Sequence, residues 1–398
     1  MIKSAAVLAA FLLTAFCHGQ AMTGVRELPE AFYAESDAAL RERISGTFTA
    51  PGVSVTAESS ADETLSSTVS CRLLGVITVK KVPAYIGSRA ELVPGGRAVG
   101  ISIYTDGVLV VGTGSFVSES GRKLSPASDA GVKAGDVILS VNGTGISNSR
   151  ELQALLDSPE RAVLDIERSG ERITLTVTPS RAETGEYRIG AWVRDSTVGI
   201  GTLSFYDRVT GLAAALGHAV VDADTGSLLK VKDGKLVAAS VLGVTKGRSG
   251  APGELHGTFD DGSFCIGSIS ANTELGIYGY LADGAKAFLA GEPVPVAFPD
   301  EAETGSAQII TPACGEPEIY SCRIIKTGRQ NEPAPKGLVI EITDERLVSV
   351  TGGIVQGMSG SPILQNGRLV GVVTHVFVND PLKGYGAYAY WMYKRFGG

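Results

Sequence analysis

The sequence predicts a mostly β protein in which a small module of mixed strands and helix precedes a larger all-β unit. Three observations carry this. Short apolar strands recur from Arg72 onward, separated by Gly, Asp and Asn turn signals. Helical periods are few; the clearest is SRELQALLDS, which sets Leu152, Leu155 and Leu156 at i, i+3 and i+4. Glycine supplies 51 of 398 residues and charged types only 19%, which fits a turn-rich globular chain rather than a disordered one. The net charge of −7 argues against nucleic acid as a partner, because phosphate binding needs a basic face.

The elements follow in order. MIKSAAVLAAFLLTAFCHGQAM has one lysine, an apolar run from Ala5 to Phe16, and small residues at Gly19 and Ala21. This is an export-signal pattern over residues 1–21. The run is shorter than the roughly 20 residues of a membrane span, although an uncleaved anchor is the alternative reading. Residues 22–93 read as a polar segment with strands: a helix within ELPEAFYAESDAALRERI, a loop at SSADETLSSTVS, and a strand broken by Pro83. Beyond the leader stand Cys71, Cys265, Cys314 and Cys322. Cys314 and Cys322 are placed to clip a hairpin, and Cys265 reads as a buried thiol. No CxxC or HxxxH spacing suggests a metal, and no cofactor is expected.

From 94 to 181 the pattern is compact. Asp106-Gly107 between Ile101–Tyr104 and Val108–Val111 reads as a hairpin turn. SPASDAGVKAGDVILSVNG follows, then the Leu152 helix, then two strands around Ser169-Gly170. These residues resemble a PDZ domain. The resemblance implies that Val99-Gly100-Ile101 is the loop that receives peptide C-termini, with a strand edge open to an added strand. FVSESGRKLSP is long enough to cover that groove.

Residues 182–398 read as a β-sandwich or β-barrel. Within them, GMSGSPILQNGRLVGVV sets Ser359 between two glycines ahead of an apolar hairpin. A serine nucleophile needs a general base, usually histidine, and aimed backbone donors for the oxyanion. Outside the leader, only His218, His256 and His375 are available. His218, in GLAAALGHAVVDADTG, ends an apolar run and is favoured as base; His256 sits in a turn-rich segment and His375 only sixteen residues after Ser359. GRSGAP around Ser249 also fits GxSGxP, but it lies too near His218 and lacks the hairpin. The order His then Ser resembles trypsin-like proteases and implies a double β-barrel. Gly357 and Ser359 would then supply the oxyanion N–H groups, and Thr374, His375 and Val376 would line the substrate cleft. Met358 replaces the acidic residue of many trypsins. The acid is open among Asp222, Asp224, Asp260, Asp261 and Asp344.

Taken together, GVLVVG, AGVKAGDVILSVNG, GIGTLSFYD, ALGHAVVDADTG, PGELHGTF, EITDERLVSVTGGIVQGMSGSPI and GVVTHVFVNDPLKGYG resemble the stage IV sporulation protein B family, from Cys71 to the C-terminus. The resemblance implies a triad of His218, Asp344 and Ser359. It implies a serine endopeptidase exported to the intermembrane space of the forming spore. There such an enzyme cleaves itself and a membrane-bound regulator of an intramembrane protease, which leads to activation of a late mother-cell sigma factor. Two rival readings are a non-catalytic peptide-binding scaffold of the envelope and a general quality-control protease with a PDZ domain.

Overall fold

The structure, a computed structural model, describes residues 31–396 apart from 48–52, 60–66, 74, 261, 290, 329 and 331. The expected export signal lies outside the described residues. Among those described, no helix is long and apolar enough to cross a membrane.

Two six-stranded barrels dominate. Numbering their strands in chain order, the first barrel contains β1 (Ala98–Thr113), β2 (Ala191–Tyr206), β3 (Leu212–Ala215), β4 (Val231–Ala238), β5 (Cys265–Thr273) and β6 (Gly276–Leu281). Its ring runs β1-β4-β5-β6-β3-β2 and closes because β1 also pairs with β2. The second contains β7 (Gly305–Cys314), β8 (Glu316–Thr327), β9 (Leu338–Ile342), β10 (Pro362–Gln365), β11 (Arg368–Phe377) and β12 (Asp380–Tyr388). It closes in the order β7-β8-β9-β12-β11-β10. Closure removes the free edges that so many apolar strands would otherwise expose.

The PDZ-like module is inserted into the first barrel. The strand β1 starts in barrel core with Val99, Ile101 and Ile103, against Leu203, Leu236 and Ile277. It ends in the module core with Val108 and Val110, against Ile138, Leu152 and Leu164. The chain returns along β2, whose Ala191–Arg194 still pair with Leu109–Thr113. Two boundaries read from the sequence therefore move. The stretch from Ala98 to Tyr104 belongs to the barrel rather than to a module beginning at 94. Residues 182–190 stay with the module: Ser118 bridges Ala182, and Ile189 is buried among the module's leucines.

Asp106-Gly107 is not a hairpin turn. β1 continues through it as a single strand of 16 residues, and Asp195 of β2 forms the irregularity opposite. Gly107 has φ +88°, and a Cβ there would sit 2.6 Å from the Ile138 carbonyl oxygen. The glycine is needed for a bulge that lets the strand Val137–Val141 approach.

Residues 31–86 are more than a polar segment. A short strand, Phe32–Ala34, runs parallel to Ala84–Ile86. The helix begins only at Asp37 and packs Leu40 and Ile44 on Val69, Val82 and Ala84. FYA forms a strand rather than the start of the helix because its aromatics are buried: Tyr33 stacks on Phe298 and meets Tyr390 and Trp391 edge-on. Arg89 pins this unit to the barrels. Its guanidinium donates to Glu35 (2.7 Å), to both Glu301 oxygens (2.7 and 3.0 Å) and to the Val296 carbonyl (2.9 Å), and lies 4.4 Å over the Phe298 ring. The side chains of Arg89 and Glu301 are both largely covered. Removing one partner strands the other. Arg89→Ala should therefore lower the unfolding free energy by about 2 kcal/mol, read from the denaturant midpoint; a change under about 0.5 kcal/mol would show that the pair is solvated.

Candidate active site

The site is built where the two barrels meet. The third strand of the first barrel ends at Ala215. Leu216 then takes φ +74° and Gly217 φ +73°, and the Gly217 N–H donates back to the Ala215 carbonyl at 3.0 Å. This is a tight γ-turn with a bulky residue at its strained position, a conformation that costs about 1–3 kcal/mol. It turns His218 out of the strand. The strain is held by close packing. A Cβ on Gly201 would meet Leu216 Cδ2 at 2.2 Å, and one on Gly217 would meet Val372 Cγ2 at 2.6 Å. From the other barrel, a Cβ on Gly360 would lie 2.3 Å from the Thr202 oxygen and 2.6 Å from the Leu216 nitrogen.

The Ser359 turn docks on the same place. The Thr202 N–H donates to the Ser359 carbonyl (3.1 Å), and the Thr202 hydroxyl to the Gly357 carbonyl (2.8 Å). Met358 is fully buried, and its sulfur accepts from the Val355 N–H. Its N–H donates to the Val355 carbonyl, that of Gly360 to Val373, and that of Ser361 to Met358. The N–H groups of Gly357 and Ser359 have no such partner among the described residues. A turn that satisfies its neighbours and leaves these two donors open has the form of an oxyanion site.

These groups face a cavity of about 490 Å³. Leu216 and His218 come to it from the first barrel, and Gly357, Ser359, Thr374, His375 and Val376 from the second. Among the described residues no Asp, Glu, Lys or Arg side chain lines it; Ile200, Val220, Ile354 and Val355 make it apolar. His218 Nδ1 lies 2.8 Å from the Ala219 carbonyl oxygen. A carbonyl can only accept, so Nδ1 carries the proton and Nε2 holds the lone pair. Burial pushes the His218 pKa below its ordinary value. His375 lies with its ring centre 5.0 Å from that of His218. Although much of the His375 residue is exposed, partial desolvation of its ring, then the neighbouring His218 and Lys336, push its pKa down to about 4. The Ser359 hydroxyl donates to the Thr374 carbonyl at 2.8 Å rather than to either histidine.

Several expectations are corrected. Asp344 does not meet His218. It caps the helix Glu345–Thr351, accepting the Arg346 N–H at 3.0 Å, and also accepts from the Ser321 N–H and the Arg346 guanidinium. That guanidinium holds its pKa down at about 2. The signal was present, because an Asp just before ERLVSV is a helix start. Asp222 is buried in a turn, bound by Arg194 and by Thr225. Asp224 also pairs with Arg194, Asp260 pairs with Ser263, and Asp261 lies outside the described residues. No described carboxylate lines the cavity.

Val99-Gly100-Ile101 is not a peptide-receiving loop. It lies in mid-strand, paired on one edge with Gly199–Gly201 and on the other with Leu236–Ala238. No edge is left for an added strand, and Gly100 is there because a Cβ would enter the Phe259 ring. In the module, residues 181–187 of the chain itself run beside Val117–Glu119, and Gln153 of the Leu152 helix donates to the Tyr187 carbonyl at 2.8 Å. It is this segment, not FVSESGRKLSP alone, that lies beside the helix.

Ser249 sits in a tight turn and donates to the Asn379 carbonyl, and His256 is exposed against the Thr245 hydroxyl. The four described cysteines are free. Cys314 pairs with Glu316 at the hairpin turn while Cys322 pairs with Ala307 farther along, so they are not opposed. Cys265 is exposed rather than buried. The residues that sequence reasoning missed are Gly201, Thr202, Leu216 and Ala219. Only Gly201, in the glycine-spaced GIGTL, carried a signal.

Asp344→Ala should remove a helix cap and lower the unfolding free energy by about 1 kcal/mol at pH 7. The carboxyl pKa is lower folded than unfolded, so its contribution is present above about 3.9 and is lost as the pH falls towards 2. Denaturant titrations should show the gap between wild type and variant closing at pH 2. A gap that is constant with pH would contradict the assignment.

The chain is 35% identical over 92 residues to a Lactococcus lactis protein named "Putative zinc metalloprotease LL2128", and covers 20% of that protein's length. Among solved structures, the PDZ domain of the SdrC-like protein of Listeria monocytogenes is similar at 21% identity, over 22% of this chain and 87% of that one, with a TM-score of 0.18. The Rv3671c protease of M. tuberculosis, in its active form, is similar at 17% identity, over 51% of this chain and 75% of that one, with a TM-score of 0.28. Residues 117–168 match the PDZ domain family, and residues 185–393, more than half of the chain, match the family described as SpoIVB peptidase S55. The chain is a serine peptidase joined to a PDZ domain, and it belongs to the SpoIVB peptidase S55 family.

Proposed function

We propose that Ser359 is the nucleophile and His218 the general base of an endopeptidase acting on apolar peptide segments. One observation carries the reading: Ser359, His218 and two unspent N–H groups face one uncharged cavity. The hydroxyl leaves the Thr374 carbonyl by rotation about χ1 and gives its proton to His218 Nε2 as Oγ attacks the peptide carbonyl. The oxyanion takes the Gly357 and Ser359 N–H groups. His218 then returns the proton to the leaving amine, and water repeats the sequence on the acyl-enzyme. Holding the tautomer, a task usually given to a carboxylate, falls to the Ala219 carbonyl. A carbonyl dipole stabilises imidazolium less than a carboxylate does, which suits an enzyme of few, slow cleavages. Thr374 and Val376 shape the pocket, and its lack of charge favours an apolar residue beside the scissile bond.

The wider role follows the family. We assign the protein to sporulation signalling: exported to the intermembrane space of the forespore, it cleaves itself and a membrane-bound regulator of an intramembrane protease. The N-terminal pattern of residues 1–21 supports export.

A peptidyl phosphonate with leucine at the reactive position should label the wild-type chain at least tenfold faster than its lysine counterpart. Ser359→Ala should abolish both labelling and self-shortening of the purified chain. A Ser359→Ala chain that still shortens itself sinks the reading. The pH profile of kcat/KM should rise through a midpoint below 6.5, since burial disfavours the protonated base. A midpoint above 6.5 would mean that a buried anion supports His218.

A further inference from the structure

We infer that His218 and His375 form a two-imidazole site for a divalent transition-metal ion of the Zn²⁺ type, placed to silence the peptidase. The two rings stand 5.0 Å apart, centre to centre, tilted by 39°. With metal–nitrogen bonds of about 2.0–2.1 Å, an ion sits roughly 3.2 Å from each ring centre. Rings 5.0 Å apart then subtend roughly 100° at it, near the tetrahedral angle that zinc adopts. The nitrogens are available. His218 commits only Nδ1, to Ala219, and no side-chain hydrogen bond engages the His375 ring among the described residues. A bland aromatic contact would account for the distance alone; the two imidazoles also line one cavity together with Ser359.

Water completes the set. No described group of three His, Cys, Asp or Glu side chains stands here, and Lys336 adds a positive charge near His375. The site is thus a weak, reversible one, suited to an ion that comes and goes rather than to a resident cofactor. Imidazole favours Zn²⁺ and Cu²⁺ over Mg²⁺ and Ca²⁺. A bound ion takes the lone pair of His218 Nε2, so the proton of Ser359 has no acceptor. That consequence rests on His218 being the base; the binding itself does not.

The test is equilibrium dialysis of the full chain against ZnCl₂, with Co²⁺ absorption as a second readout. One Zn²⁺ per chain should bind with micromolar affinity. His375→Ala, and the polar variant His375→Asn in case the first does not fold, should each weaken binding at least tenfold. His256→Ala should leave it unchanged, because that ring lies outside the cavity and is bound to the Thr245 hydroxyl. The Ser359→Ala chain should still bind, which separates this site from the catalytic assignment. Equal binding by wild type and a folded His375 variant, loss in His256→Ala, or no saturation below 1 mM would overturn the inference. If zinc binds as expected but leaves the rate of cleavage unchanged, the silencing role is overturned.

Discussion

The whole site depends on how closely two barrels approach at one point. Gly360 of the serine turn lies against the backbone of Thr202 and Leu216, and Gly217 of the histidine turn against Val372 and Thr374. Any side chain at these positions would push the barrels apart. The contact does two jobs at once. It forces Leu216 into a left-handed conformation that swings His218 out of its strand. It also gives Thr202 both hydrogen bonds that hold the Ser359 turn. Neither barrel carries the proposed site alone, because Ser359 and Gly357 belong to one and His218 to the other.

The inserted module bears on the same point through continuous strands. β1 and β2 pass from the module core directly into the barrel wall, pairing with each other nearly throughout. Ile101 and Gly199 of these strands reach the cavity. The module and the barrel are thus joined by paired strands rather than by a linker.

Much of this was legible in the sequence where chemistry is local. GMSGSP followed by an apolar hairpin pointed to Ser359, a shortage of histidines pointed to His218, and the two do line one cavity. The double barrel followed from strand density and the order of these residues. What was not legible depends on long-range pairing. Apolar-Gly-apolar at Val99–Ile101 reads alike for a carboxylate loop and for a barrel strand passing the Phe259 ring; only its pairing with 199–201 and 236–238 separates them. The same holds for Asp106-Gly107, a hairpin signal overruled by a partner strand nearly ninety residues away. Asp344 is a different case, since its own helix explained it and resemblance to a family placed it elsewhere.

The central claim is that this seam aims Ser359, the Gly357 and Ser359 N–H groups and His218 at one carbonyl. A crystal structure of the phosphonate adduct tests it most directly. The account predicts a phosphorus–Oγ bond at Ser359, with the phosphonyl oxygen about 2.7–3.1 Å from both N–H nitrogens and His218 Nε2 turned towards Oγ. An adduct at Ser249, or a phosphonyl oxygen directed away from Gly357, would contradict it.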